Sequence, residues 1–286
     1  MMTVKKLLSL FGLKWDPFSP GIPIEAVLVS SKMEHFFWSI ENHLVRDGGF
    51  ALVTGDPGSG KSVVMRLLDE RLSRVGEITV ARLEYPQSAV ADFYRELGDL
   101  FGVQLRPHNR WAGFKALRER WKAHIKSTLI RPVLLVDEAQ QMSPLVLNEL
   151  RILSSTHFDS RIILSVVLAG DGRLTDKLRR EELLPLGSRV RTRLSMDAAS
   201  RDELLACLRH LVKSAGNASL MTKELMSTLC EHAVGNYRVL TNMAGELLAV
   251  AAHRECSQID EKLFFEVFPA PGQQSKKRNR QSSPSR

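Results

Sequence analysis

Apolar residues along this chain keep two different periods, and the switches between them mark out its parts. Short continuous apolar runs at GGFALVT (48–54), ITVARL (78–83), VLLVDE (133–138) and IILSVVLAG (162–170) have the length of strands buried on both faces. Between them, helical periodicity predicts helices from about Glu34 to Val45, through SVVMRLLDERL after Lys61, near AVADFYRELGDLF, from Arg110 to Leu129, and around PLVLNELRILS. Strands that alternate with helices require crossover connections, so the pattern predicts a parallel sheet with helices on both faces. From Asp197 to Val267 the pattern is helical throughout, in RDELLACLRHLV, KELMSTLCEHA and YRVLTNMAGELLAVAAH, which predicts a separate C-terminal helical lid. Ahead of the first helix, the three prolines of WDPFSPGIP favour an extended, irregular arm lying across the α/β domain. The expected organisation is an arm over 1–30, an α/β core over 31–196, a lid over 197–268, and a polar, basic, disordered tail over 269–286.

The loop after the first strand reads Gly55-Asp56-Pro57-Gly58-Ser59-Gly60-Lys61-Ser62-Val63 and fits a phosphate-binding loop at every fixed position. Glycines let the backbone turn its N–H groups inward at the positive end of the following helix. Lys61 would reach the β and γ phosphates of ATP, and the Ser62 hydroxyl would bind Mg²⁺. The strand at 133–136 ends in two carboxylates: Asp137 to hold Mg²⁺ through water, and Glu138 to act as general base on the attacking water. Lys61 and Asp137 stand 76 residues apart. That is room for an additional strand with its helices, the arrangement of P-loop proteins that hydrolyse ATP rather than of small nucleotide kinases.

Composition narrows this picture only slightly. The 286 residues carry a formal charge of +8, but five of those charges lie after Pro271, leaving an excess of three for the rest. Three scattered cysteines, Cys207, Cys230 and Cys256, show no metal-ligand spacing and read as buried free thiols in a cytoplasmic protein. The apolar run of KKLLSLFGLK stops at Lys14 without a cleavage site, so no signal peptide is expected, and no run is long enough to predict a membrane span. On the helix from Arg110, Phe114, Leu117, Trp121 and Ile125 form a stripe that would pack on the sheet. Lys115, Arg118, Lys122 and Lys126 fall on a neighbouring stripe that could follow the phosphates of double-stranded DNA without reading bases. The same row, partly neutralised by Glu119, reads equally as an ordinary solvated face. Trp111 and Trp121 are expected to be packing residues.

With its loop and acidic strand, the chain resembles the AAA+ superfamily: a three-layer αβα P-loop domain with a C-terminal helical lid. The resemblance implies a water-orienting polar residue at the next strand end, which falls on Asp171, where an acid is unusual. It implies an arginine acting on the nucleotide of a neighbouring subunit, with Arg189 preferred over Arg191 and Arg193, and a lid arginine contacting the γ phosphate, Arg238. LFGLKWDPFSP, GGFALVTGDPGSGKS, VLLVDEAQQM, VVLAGDGRL and GNYRVLTNMA together look like the group containing ExeA-type ATPases and the transposition ATPases TnsC and TniB, with MuB and IstB more distant. The transposition members imply an ATP-dependent, DNA-binding regulator that assembles into rings or filaments and recruits or activates a transposase. The ExeA branch implies instead a cytoplasmic assembly ATPase acting on protein partners without DNA, and a slow ATP-bound signalling switch is a third expectation.

Overall fold

The computed structural model describes residues 4–105, 109–158 and 160–269. The expected tail lies, from residue 270 on, outside the described residues. The chain forms two compact units, one of Val29–Asp197 and one joining the residues up to Leu28 with those from Ala198 onward.

The first unit is built on seven strands: β1 Gly49–Gly55, β2 Val80–Leu83, β3 Val133–Val136, β4 Ser155–Thr156, β5 Arg161–Ile162, β6 Ser165–Gly170 and β7 Val190–Met196. Five of them make a parallel sheet in the order β2-β3-β6-β1-β7, and β4 with β5 forms a separate antiparallel pair. Strand β6 therefore lies between the loop-bearing β1 and the acidic β3, while the strand for which the separation of Lys61 and Asp137 left room is β2, beside β3 at the sheet edge. Both β3 and β6 are buried at every position, as strands covered on two faces must be.

The helices, in chain order, begin with α1 Val4–Phe11, α2 Ser31–Ser39, α3 Val45–Asp47, α4 Lys61–Ser73, α5 Val90–Leu100 and α6 Arg110–Thr128. They continue with α7 Pro144–Leu153, α8 Gly172–Leu178, α9 Leu184–Gly187, α10 Arg201–Ser214, α11 Lys223–Ala233, α12 Tyr237–His253 and α13 Glu261–Val267. Phe93 and Leu97 of α5, Leu117 and Trp121 of α6, and Val146 and Leu150 of α7 pack with Leu134, Val136, Val166 and Leu168 in one core. The helix expected from Glu34 to Val45 runs longer, because a π-helical turn at Ile40–Leu44 joins α2 to α3. The single strand expected over 162–170 is divided: Ile162 pairs with Ser155 in the small antiparallel ladder, and the sheet strand starts at Ser165.

The second unit is helical, as expected, and α10 opens with a reciprocal capping box between Ser200 and Glu203. The expectation of an extended arm over the α/β domain is corrected, since α1 is a helix and Phe11, Leu13 and Phe18 are buried in the core that α10, α11, α12 and α13 build. Asn217 Nδ2 donates to the Phe11 carbonyl at 2.9 Å and Lys14 N–H to the Ala215 carbonyl at 2.8 Å. The proline-rich stretch is irregular, but its aromatic and aliphatic neighbours need burial and obtain it on this unit. All three cysteines are free; burial pushes the Cys207 thiol up to about 11 and also raises Cys230.

Candidate nucleotide site

Strands β3, β6 and β1 are adjacent and parallel, so Asp137 and Glu138, Asp171, and the loop from Gly55 all emerge at the same edge of the sheet. Ligands of open α/β sheets gather at such carboxyl ends. Two glycines are required by local geometry. A side chain at Gly55 would stand 2.4 Å from the Met196 carbonyl oxygen, and Gly60, at φ 102°, hands the loop into α4 in a left-handed turn.

Lys61 is the first residue of α4 and is only 6% exposed. Its ammonium donates to the carbonyls of Gly55 at 2.8 Å and Asp56 at 3.0 Å, within the loop itself. A buried cation at the positive end of a helix opposes the helix dipole, a placement that an anion would turn from cost to gain. Ser62 and Val63 are exposed on the first turn, Asp56 and Pro57 are exposed at the loop tip, and Ser59 is buried with an unpaired hydroxyl. These groups fit a bound polyphosphate: donors, a lysine and a helix N-terminus converge, and Ser62 with Asp137 supplies the hard oxygen ligands that Mg²⁺ prefers.

Asp137 accepts the N–H of Glu138 at 2.8 Å. Glu138 is exposed and sits at φ 53°, an uncommon conformation for a residue with a side chain and one that recurs at functional sites. Its carboxylate accepts from Gln140 Nε2 at 2.6 Å and Gln141 Nε2 at 3.4 Å, and Gln87 donates to Gln141 Oε1. The two glutamines were not singled out in the sequence; paired amides one residue beyond two carboxylates in an apolar setting were the available signal.

Asp171 stands at the end of β6, as expected, but its carboxylate is engaged. It caps α8 through Arg173 N–H at 3.0 Å and holds the Arg173 guanidinium at 2.6 to 3.1 Å. That hydrogen bond to Arg173 is the main cause that holds the Asp171 carboxyl below its ordinary range, with Lys61 a smaller contributor.

The three candidate arginines lie along β7, which pairs in parallel with β1 from Phe50↔Val190 to Gly55↔Met196. Arg189 precedes the strand and is half-buried, so the length of β1 separates it from the loop, about 16 Å at the usual strand rise. Arg191 lies over Gly49 and faces Asp47 at 3.9 Å, and Arg193 donates to the Gly187 carbonyl at 3.4 Å. In the helical unit, Arg238 is exposed on the first turn of α12, whose N-terminus Asn236 caps through the N–H groups of Arg238 and Val239.

The stripe of α6 that was expected to pack does so through Leu117, Trp121 and Ile125, with Phe114 half-buried. The expectation for Trp111 is corrected: it is 63% exposed and stacks on Phe114 with centroids 5.6 Å apart. It lies one turn too early to reach the sheet, and its ring instead supports the Lys115 ammonium, as Phe114 supports Arg118. Lys122 pairs with Glu119 at 2.9 Å, while Lys126 is exposed.

Comparison with known proteins agrees with this geometry. A family profile described as "AAA domain" matches residues 45–178. General secretion pathway protein A of Aeromonas hydrophila is 30% identical over 253 residues, covering 87% of this chain and 45% of that protein. The chain thus spans less than half the length of that relative. Among solved structures, Drosophila ORC bound to DNA superposes with a TM-score of 0.68 at 17% identity, covering 96% of this chain and 68% of that one. The ORC1 protein of Aeropyrum pernix in complex with DNA gives 0.67 at 13% identity, covering 92% and 69%. Among the described residues, no helix is long and apolar enough to cross a membrane. Residues 45–178 match an AAA domain, and the chain shares the fold of these solved structures.

Proposed function

We propose that the protein is a self-assembling ATPase that marks duplex DNA for transposition and recruits or activates a transposase there. The observation that carries assembly is the position of Arg189 at the far end of the sheet from its own phosphate loop. An arginine so placed is out of reach of its own loop, and read as the arginine supplied in trans it makes ATP turnover depend on contact between subunits. Within a site, Lys61 binds the β and γ phosphates, and Ser62 and Asp137 would hold Mg²⁺, which neutralises charge on the phosphate oxygens. Glu138 takes a proton from the attacking water as its oxygen bonds to the γ phosphorus and the bond to the bridging oxygen breaks, releasing ADP. Arg238 at the start of α12 reports the γ phosphate to the helical unit.

DNA enters through α6. Lys115 and Arg118 are held over aromatic rings, so these cations are preorganised, and Lys126 extends the same row. Contacts of this kind go to phosphates, and an assembly repeats them along the duplex. The DNA-bound ORC structures that share the fold support the reading by likeness of architecture. A second reading has its own support: 30% identity to general secretion pathway protein A favours an assembly ATPase working on protein partners without DNA.

Sedimentation and negative-stain imaging with ATP, ADP or a nonhydrolysable analogue, with and without duplex DNA, separate the two. The first reading expects ATP-dependent assembly on DNA, lost on charge reversal of Lys115, Arg118 and Lys122 while nucleotide binding persists. Assembly that ignores DNA under every nucleotide condition refutes it in favour of the second.

A further inference from the structure

We infer that Gln140 is the positioning residue for the Glu138 carboxylate, fixing the base in the direction of the attacking water. The inference rests on the reading of Glu138 as that base. Four observations converge on Gln140. Its Nε2 makes the shorter of the two amide contacts to Glu138, at 2.6 Å against 3.4 Å from Gln141. Gln140 is 7% exposed whereas Gln141 is exposed, so the Gln140 amide is the one enclosed by packing. Its backbone is pinned as well: the Lys177 ammonium, reaching from α8, donates to the Gln140 carbonyl at 2.6 Å and to the Met142 carbonyl at 2.7 Å. Burial lowers the Lys177 pKa, as expected for an ammonium drawn inward to that clamp.

The fourth observation concerns the end of β6. A Cβ on Gly170 would stand 2.7 Å from Gln140 Oε1, so the glycine is what leaves room for the amide. The strand end where a water-orienting residue was expected thus does its work through the vacancy at Gly170, since the Asp171 carboxylate beside it is engaged with Arg173. Gln140 Oε1 itself is buried without a hydrogen-bond partner. An unpaired buried carbonyl is a cost that stability alone would remove by an apolar replacement. Its presence is accounted for by the other end of the same amide, whose N–H binds Glu138. An exposed glutamate has several rotamers, and a base displaced by an ångström loses most of its effect.

Two substitutions at residues outside the phosphate loop remove this restraint. Gln140→Met keeps the length and deletes the donor, and Gly170→Ala crowds the amide from its seat. In the full chain, both should lower kcat for ATP by about tenfold or more, with KM and the affinity for a fluorescent ATP analogue within about twofold of wild type. Gln140→Met should melt no lower than wild type, because it removes the unpaired carbonyl, and a merely structural role would predict the opposite. In a Glu138→Gln background, Gln140→Met should add less than about threefold, since both act through one carboxylate. Wild-type kcat in Gln140→Met, a loss expressed in nucleotide affinity, or a full additional loss in the Glu138→Gln background would each overturn the inference. Wild-type turnover in Glu138→Gln alone would instead overturn the assignment of the base.

Discussion

Removing the Asp171 carboxylate should cost about 1 kcal/mol of stability, as loss of a helix cap does, because the side chain accepts the Arg173 N–H at the start of α8. Arg173→Ala should leave stability nearly unchanged, since the guanidinium end of that pair is exposed and screened. Urea unfolding of both variants checks the contrast, and an equal loss in each would mean that the ion pair rather than the cap carries the energy. The case also shows what a sequence conveys about single side chains. Lys61, Asp137 and Glu138 were legible because strand and loop spacing alone places them at one sheet edge. The engagement of Asp171 depends on a rotamer and a neighbour two residues on, and the seat of Gln140 depends on Gly170 from another strand. Neither leaves a periodic trace.

Helix α6 carries two tryptophans whose energies should differ widely. Trp121 is 1% exposed and packs edge-on against Phe101 at 5.2 Å, so Trp121→Ala should cost about 3–5 kcal/mol. Trp111 is exposed, and Trp111→Ala should stay within about 0.5 kcal/mol in stability while, on the proposed function, weakening DNA-dependent assembly by releasing Lys115 from its ring. Thermal melts and sedimentation with DNA test the two effects separately; a stability loss at Trp111 matching that at Trp121 would contradict the exposed placement. The core stripe of α6 was readable because residues three and four apart share a helix face. Trp111 was misplaced because the same periodicity cannot say where the helix passes the end of the sheet. Strand β7 posed the related difficulty at the sheet edge: Val190, Thr192, Leu194 and Met196 alternate with the exposed Arg191, Arg193 and Ser195, and a polar Thr192 breaks the apolar run that would mark a strand. The burial of the N-terminal segment on the helical unit was illegible for a different reason, since Phe11, Leu13 and Phe18 announce only that they need covering.

On the proposed assembly, the separation of Arg189 from its own phosphate loop makes ATP turnover a property of neighbouring subunits. Parallel pairing of β1 and β7 puts the loop and Arg189 at opposite ends of the same ladder, and no side chain spans a strand of that length. If ATP turnover needs this arginine, Arg189→Ala should lower it at least about a hundredfold in the assembled state, given the usual contribution of an arginine supplied in trans, while ATP binding stays near wild type. Mixing makes the test specific. A Glu138→Gln subunit keeps Arg189 but lacks the base, and an Arg189→Ala subunit keeps the base but lacks the arginine. Each alone is nearly inactive, yet an Arg189→Ala site beside a Glu138→Gln neighbour contains every group. Random co-assembly at equal amounts should restore roughly a quarter of wild-type turnover, because half the subunits carry an intact base and half their neighbours the arginine. Sedimentation of the mixture establishes that the variants share assemblies. Co-assembled but inactive mixtures would mean that Arg189 acts within its own chain or on packing alone, and the geometry of β7 would then have to be reread.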